Sequence, residues 1–151
     1  MSQNYVIPAT YVLVTNSTGI PPVQFALGEQ ITSFINSSSS VSLSTNVVSN
    51  ITSINLSPGI WNVSGMVVFK GAVGATKNQG SIVTTSATLG DSGNNLALTP
   101  TNPNAASDIS LTIPPYRVNA TSTMSVYLTA ESTFSAGSIS AYGSISATRV
   151  A

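Results

Sequence analysis

Two runs near the C-terminus alternate so strictly that they leave little choice of secondary structure. In TMSVYLTAESTF (residues 123–134), Met124, Val126, Leu128 and Ala130 share one face, while Tyr127, Thr129, Glu131 and Thr133 share the other. After a break at Ser135-Ala136-Gly137, SISAYGSISATRV repeats the pattern. Ile139, Ala141, Gly143, Ile145 and Ala147 point one way; Ser138, Ser140, Tyr142, Ser144, Ser146 and Thr148 point the other. A period of two with one apolar face is that of a half-buried antiparallel strand. Two such runs around a short break are expected to form a hairpin.

Upstream, Trp61, Val63, Gly65, Val67 and Phe69 line one face of another strand. Its opposite face, with Asn62, Ser64, Met66, Val68 and Lys70, is half apolar as well. A strand apolar on both sides is expected to lie between a core and a second subunit. The preceding strand, about 47–56, leads into Ser57-Pro58-Gly59, where Pro fixes φ and Gly accepts a positive φ, as a type II turn requires. This turn is expected to close a hairpin, with Trp61 entering the core as its largest apolar anchor. Further strands are expected at 11–14 (YVLV), 30–35 (QITSFI), 81–89 (SIVTTSATL) and 108–118 (DISLTIPPYRV). Residues 99–107 read as a Pro/Asn loop, Gly90 to Gly93 as a turn, and Ser37 to Ser40 as a local loop. With about eight to ten strands, an all-β jelly-roll sandwich is favoured over a five-stranded barrel. The expected division is an N-terminal arm with the first strands, 1–45, serving attachment or assembly, and a body, 46–151.

Charge narrows the function. The chain of 151 residues carries four Lys+Arg and four Asp+Glu, 5% charged against about 25% in ordinary domains. Lys70, Lys77, Arg117 and Arg149 are too few and scattered to make the basic face that phosphate contacts need, so no nucleic-acid partner is expected. Homo-oligomer interfaces are depleted in charge at their centre, and a near-neutral monomer tends to self-associate. A coat of Ser, Thr and Asn accounts for the same scarcity, and the two readings are compatible. The N-terminus lacks a basic segment followed by a long apolar run, so no signal peptide is expected. No apolar run approaches the ~20 residues of a membrane helix, so no membrane span is expected.

Catalytic chemistry has little to work with. There is no histidine and no cysteine, which removes Ser-His-Asp and Cys-His arrangements, disulfides and the usual zinc ligand sets. A carboxylate pair drawn from Glu29, Asp91, Asp108 and Glu131 is the one enzymatic arrangement left. Asp91 falls in a turn and Asp108 opens a strand, where Asp is ordinary. Glu131 lies mid-strand on the face away from the core, where it can pair with Arg117 or Arg149, or stay solvated. Gly71, Gly74 and Gly80 lie near Lys77 without forming a phosphate loop. The Asn-x-Ser/Thr triplets at Asn16, Asn36, Asn50, Asn55, Asn62 and Asn119 are what chance produces in a chain so rich in these residues. Tyr127 and Tyr142, on the polar faces of their strands, suit either a subunit interface or a sugar site, with the interface favoured. No enzyme activity, cofactor or metal is expected.

The segments ITSINLSPGIWNVSGMVVF and STMSVYLTAESTFSAGSISAYGSISATRVA resemble a recurring domain of tailed-phage virion proteins. Leu56, Pro58, Gly59, Trp61, Val63, Ser64 and Gly65 match a strand opening L-x-P-G-x-W-x-V-S-G. Tyr127, Leu128, Ala130 and Phe134 match a second strand, and Ala141, Tyr142, Gly143, Ile145, Ala147, Arg149 and Val150 a closing one. The resemblance runs from about Val47 to the C-terminus and weakens between Lys70 and Asp108. It implies a jelly roll similar to the tumour-necrosis-factor/C1q type, trimeric about a threefold axis. It also implies a non-enzymatic virion protein: a knob or spike on the particle contacting a host glycan or protein. The alternatives are a decoration protein stabilising capsid or tail, and a stand-alone carbohydrate-binding module. The arm would then contact other virion proteins. Tyr127, Glu131, Tyr142, Arg117 and Arg149 are the expected subunit-interface residues.

Overall fold

In the computed structural model, residues 27–71, 74–91, 95–98 and 108–151 are described. The strand expected at 11–14, the loop at 99–107 and most of the N-terminal arm lie outside these residues. Nine strands are formed among the described residues: Gln30–Ile35 (β1), Val41–Leu43 (β2), Ser49–Leu56 (β3), Gly59–Lys70 (β4), Ala75–Val83 (β5), Asn95–Leu98 (β6), Ile109–Ala120 (β7), Met124–Phe134 (β8) and Ile139–Arg149 (β9). A single 3-10 turn at Ser37–Ser39, capped by the Asn36 side chain, separates β1 from β2.

The strands form two antiparallel sheets. One runs β1-β9-β4-β7, with β2 pairing on β9 beyond β1; the other runs β3-β8-β5-β6. From β2 to β9 the chain changes sheet at every step except between β5 and β6. With β1 and β2 counted as one interrupted strand, this is the eight-strand, double Greek-key order of a jelly roll. The expected fold class is therefore the observed one.

Two local expectations are corrected by this order. β8 and β9 do not form a hairpin, because β8 pairs with β3 and β5 while β9 pairs with β1, β2 and β4. The Ser57-Pro58-Gly59 turn likewise closes no hairpin; it carries the chain from β3 in one sheet to β4 in the other. Alternation assigns the faces of a strand but contains no term for its neighbour, so adjacency in sequence was the wrong guide. The strand expected at 81–89 also moves: β5 ends at Val83, and 84–91 leaves the sheet. β1 and β2 are hydrogen-bonded to β9 along their length.

The faces agree closely with the alternation. Trp61, Val63, Val67 and Phe69 of β4, Val126, Leu128 and Ala130 of β8, and Ile139, Ala141, Ile145 and Ala147 of β9 are all buried in one cluster between the sheets. Trp61 is fully enclosed, and its indole N–H donates to the Ser57 carbonyl at 3.0 Å. The core therefore satisfies its one aromatic donor locally. At β7, register skips between Ile113 and Tyr116, so Pro114-Pro115 sits in a bulge of an edge strand. Proline lacks the N–H that a ladder needs, and a bulged edge is where it is tolerated. Replacing Trp61 with Ala removes the largest core side chain and is expected to cost about 3–5 kcal/mol. Urea unfolding followed by circular dichroism measures this, and an unmoved midpoint would contradict the packing.

Candidate interaction surface

The outer face of the five-stranded sheet is built almost entirely of uncharged residues. Cross-strand register sets them in rows. One row is Gln30, Thr148, Asn62 and Arg117; the next is Thr32, Ser146 and Ser64. Then come Phe34, Ser144, Met66 and Thr112, followed by Tyr142, Val68 and Ser110. Ser64 and Ser146 share a hydroxyl hydrogen bond of 3.2 Å. Among the described strand residues of this face the charges are Arg117, on β7 opposite Asn62, and Lys70, at the end of β4. Lys70 donates to the Ser37 hydroxyl at 3.3 Å. In the third row, Phe34 is 69% exposed and Met66 40%, two strands apart with Ser144 between them. Val68, on the same face, is already buried within the monomer, so β4 is only partly the two-sided strand that its sequence implied.

The outer face of the four-stranded sheet is different. Tyr127 lies there between Ser53 and Val83, and Glu131 lies beside Gln79. Glu131 pairs with Lys77 at 3.7 Å, not with Arg117 or Arg149. This pair is partly solvated and contributes little to stability. The expected interface residues are thus divided: Tyr142 and Arg117 on one outer face, Tyr127 and Glu131 on the opposite one. No single flat contact can use all four.

Arg149 is a correction. It is 3% exposed and belongs to the interior of the monomer, so it is not available to a neighbouring subunit. The last inward position of β9 places its guanidinium over the Trp61 ring, 4.4 Å from the centroid. Its Nε donates to Glu29 at 3.0 Å, Nη1 to the Pro58 carbonyl and Nη2 to the Ser57 hydroxyl. A planar fork with fixed donors suits this arrangement in a way an ammonium does not. Gly59 completes it: its φ is +147°, and a Cβ there would stand 1.9 Å from Arg149 Nη1. The C-terminus closes the same corner, with Ile60 N–H donating to the Ala151 carbonyl at 2.7 Å. The Pro-Gly turn therefore follows β3 because it must pass under an arginine.

Phe34 was missed in the sequence. QITSFI alternates with Ile31, Ser33 and Ile35 on the inner side, so Phe34 falls on the polar face. A bulky aromatic on the wrong side of an alternating strand was the available signal. Among the described residues no cluster of three or more acidic side chains can hold a metal ion, and no helix is long and apolar enough to cross a membrane.

No protein-family model matches the chain, and no curated protein does. Among solved structures it is similar to the infectious bursal disease virus Gx strain structure, at 17% identity and a TM-score of 0.49 over 95% of this chain and 36% of that one. It is also similar to the VP2 subviral particle of infectious bursal disease virus, at 19% identity and a TM-score of 0.42 over 83% and 31%. A third likeness is to T=1 particles derived from the same virus, at 16% identity and a TM-score of 0.44 over 95% and 40%. The chain spans about a third of the length of these proteins. None of them is a tailed-phage appendage.

Arg149→Lys keeps the charge but loses the fork and the stacked plane. It is expected to lower stability by about 2–4 kcal/mol, since a buried charge is left with incomplete partners. Glu29→Gln removes an acid that is itself 36% exposed and is expected to cost roughly 1 kcal/mol or less. Paired thermal melts that rank the two in the opposite order would refute the central place given to Arg149. Gly59→Ala is expected to destabilise as strongly as Arg149→Lys, because the methyl group displaces the guanidinium.

Proposed function

We propose that this chain is a non-enzymatic structural protein of a virus particle, which works by packing against copies of itself. The observation that supports this most is the outer face of the five-stranded sheet. It is broad and nearly free of charge, with an exposed aromatic and an exposed thioether in one cross-strand row. Interface cores are depleted in charge and enriched in aromatic residues and Met. A sandwich of Ser, Thr and Asn around an apolar core, in a chain with no His or Cys, suits a building unit better than a reaction vessel.

In its finer form the proposal is a homotrimer, presented as a knob or spike with the segment before β1 fastening it to other virion proteins. Phe34, Met66 and Tyr142 lie in the contact, with Arg117 at its rim. A decoration protein of capsid or tail has the same monomer and differs only in its place on the particle. Labelled antibodies on intact virions separate the two: regular copies over the capsid mean decoration, and a few copies at one vertex mean an adsorption structure.

Mass in solution is the direct test. The full chain is expected to run at three times 15.4 kDa in native mass spectrometry at micromolar concentration. Phe34→Glu together with Met66→Glu is expected to give the monomer with an unchanged melting midpoint, because both side chains are already exposed. A wild-type chain that stays monomeric, or a double variant that still assembles, would overturn the assignment of this face.

A further inference from the structure

A cleft at one end of the sandwich is built with more care than a connecting loop needs. After Val83 the chain turns back over the outer face of β8, and four hydrogen bonds to β3, β5 and β8 hold it there. Thr129 donates its hydroxyl to the Thr88 carbonyl at 2.9 Å, and Gly90 N–H donates to the Ser81 hydroxyl at 2.8 Å. Asn50 grips the crest from β3, accepting from Ala87 N–H at 2.8 Å and donating to the Ser86 hydroxyl at 2.7 Å. Thr88 closes the turn by donating to the Thr85 carbonyl at 2.8 Å. Ala87 is thereby held at a φ of 54°, left-handed for a residue with a Cβ. Backbone held in such a region marks a segment fixed by its surroundings, and it concentrates at binding sites.

Between this loop and Tyr116 lies an open cleft of about 210 Å³. The bulge at Pro114-Pro115 sets the strand off its register just before Tyr116, as bulges do when they re-aim a side chain. Tyr116 is partly buried and packs against the core. Thr84, Thr85, Thr88 and Asp91 supply the rest of the polar lining. The Thr84 and Thr85 hydroxyls, the Asp91 carboxylate and the Tyr116 phenol make no hydrogen bond to any described residue. These four residues all line the one depression.

We propose that this cleft binds one neutral sugar unit of a glycan. The size decides against larger ligands: drug-sized and nucleotide sites take roughly 300–1,000 Å³. Charge decides the chemistry. Asp91 is the one charged group of the lining, so phosphate, sulfate and acidic sugars are repelled. A carboxylate accepts from adjacent hydroxyls more strongly than a neutral acceptor does, and the threonines both donate and accept. The inference does not depend on self-association, since the whole cleft lies within one chain.

The test is an amide chemical-shift titration of the full chain. The probes are methyl glycosides of glucose, galactose and mannose, with N-acetylglucosamine and inorganic phosphate alongside. At least one neutral sugar is expected to shift residues 83–91 and 116 selectively at millimolar concentration, with phosphate leaving them unmoved. Asp91→Asn, at an exposed position, is expected to keep the melting midpoint and weaken that binding about tenfold or more. Failure of every sugar to move these residues would overturn the proposal. So would a response to phosphate, or an Asp91→Asn variant that binds as well as the wild type.

Discussion

A buried guanidinium holds the corner on which the sandwich closes. Arg149 ends β9, the strand that pairs with β1, β2 and β4 at once. Taking a guanidinium out of water is costly unless its donors are met, and here each contact comes from a different part of the chain. Glu29 lies just before β1, Ser57 and Pro58 belong to the crossing between sheets, and Trp61 starts β4. Assembling these around one fork fixes where the first strand, the last strand and the crossing meet. The single tryptophan therefore serves as a floor for the arginine as well as filler for the core.

From that corner the division of labour between faces follows. The inner faces of both sheets are apolar and together form the one core cluster. The outer faces are left with Ser, Thr and Asn, which hydrate well without charge. On such a surface the few bulky residues stand out: Phe34 and Met66 on one sheet, Tyr127 on the other. The four-stranded sheet is further covered by the 84–91 loop, which buries Thr129 although it points outward. The two outer faces are therefore unlike, one flat and open, the other ridged and clefted.

Several features were legible in the residues alone: the all-β class, the jelly-roll order as a type, the core faces of β4, β8 and β9, and the placement of Trp61. Each follows from a local rule, since period-two alternation needs only the side chain and its neighbours along the strand. The interface residues were less legible. Arg149 reads as an outlying charge beside Val150, and nothing in SATRVA says that it turns inward over an indole nearly ninety positions earlier. Glu131 has Lys77 as its partner because β5 and β8 are adjacent, a fact that no spacing along the chain encodes.

The amino-acid sequence by itself determined which side of each strand faces the core, because burial of apolar groups is a property of pattern. It also determined, by composition, that histidine and thiol chemistry is absent. Only the tertiary structure decided which strands pair, why Gly59 must lack a side chain, and which polar groups converge beside Tyr116. Those depend on contacts between segments distant in the chain. Such contacts form when two sheets close over a shared core, and a one-dimensional pattern holds no record of their distances.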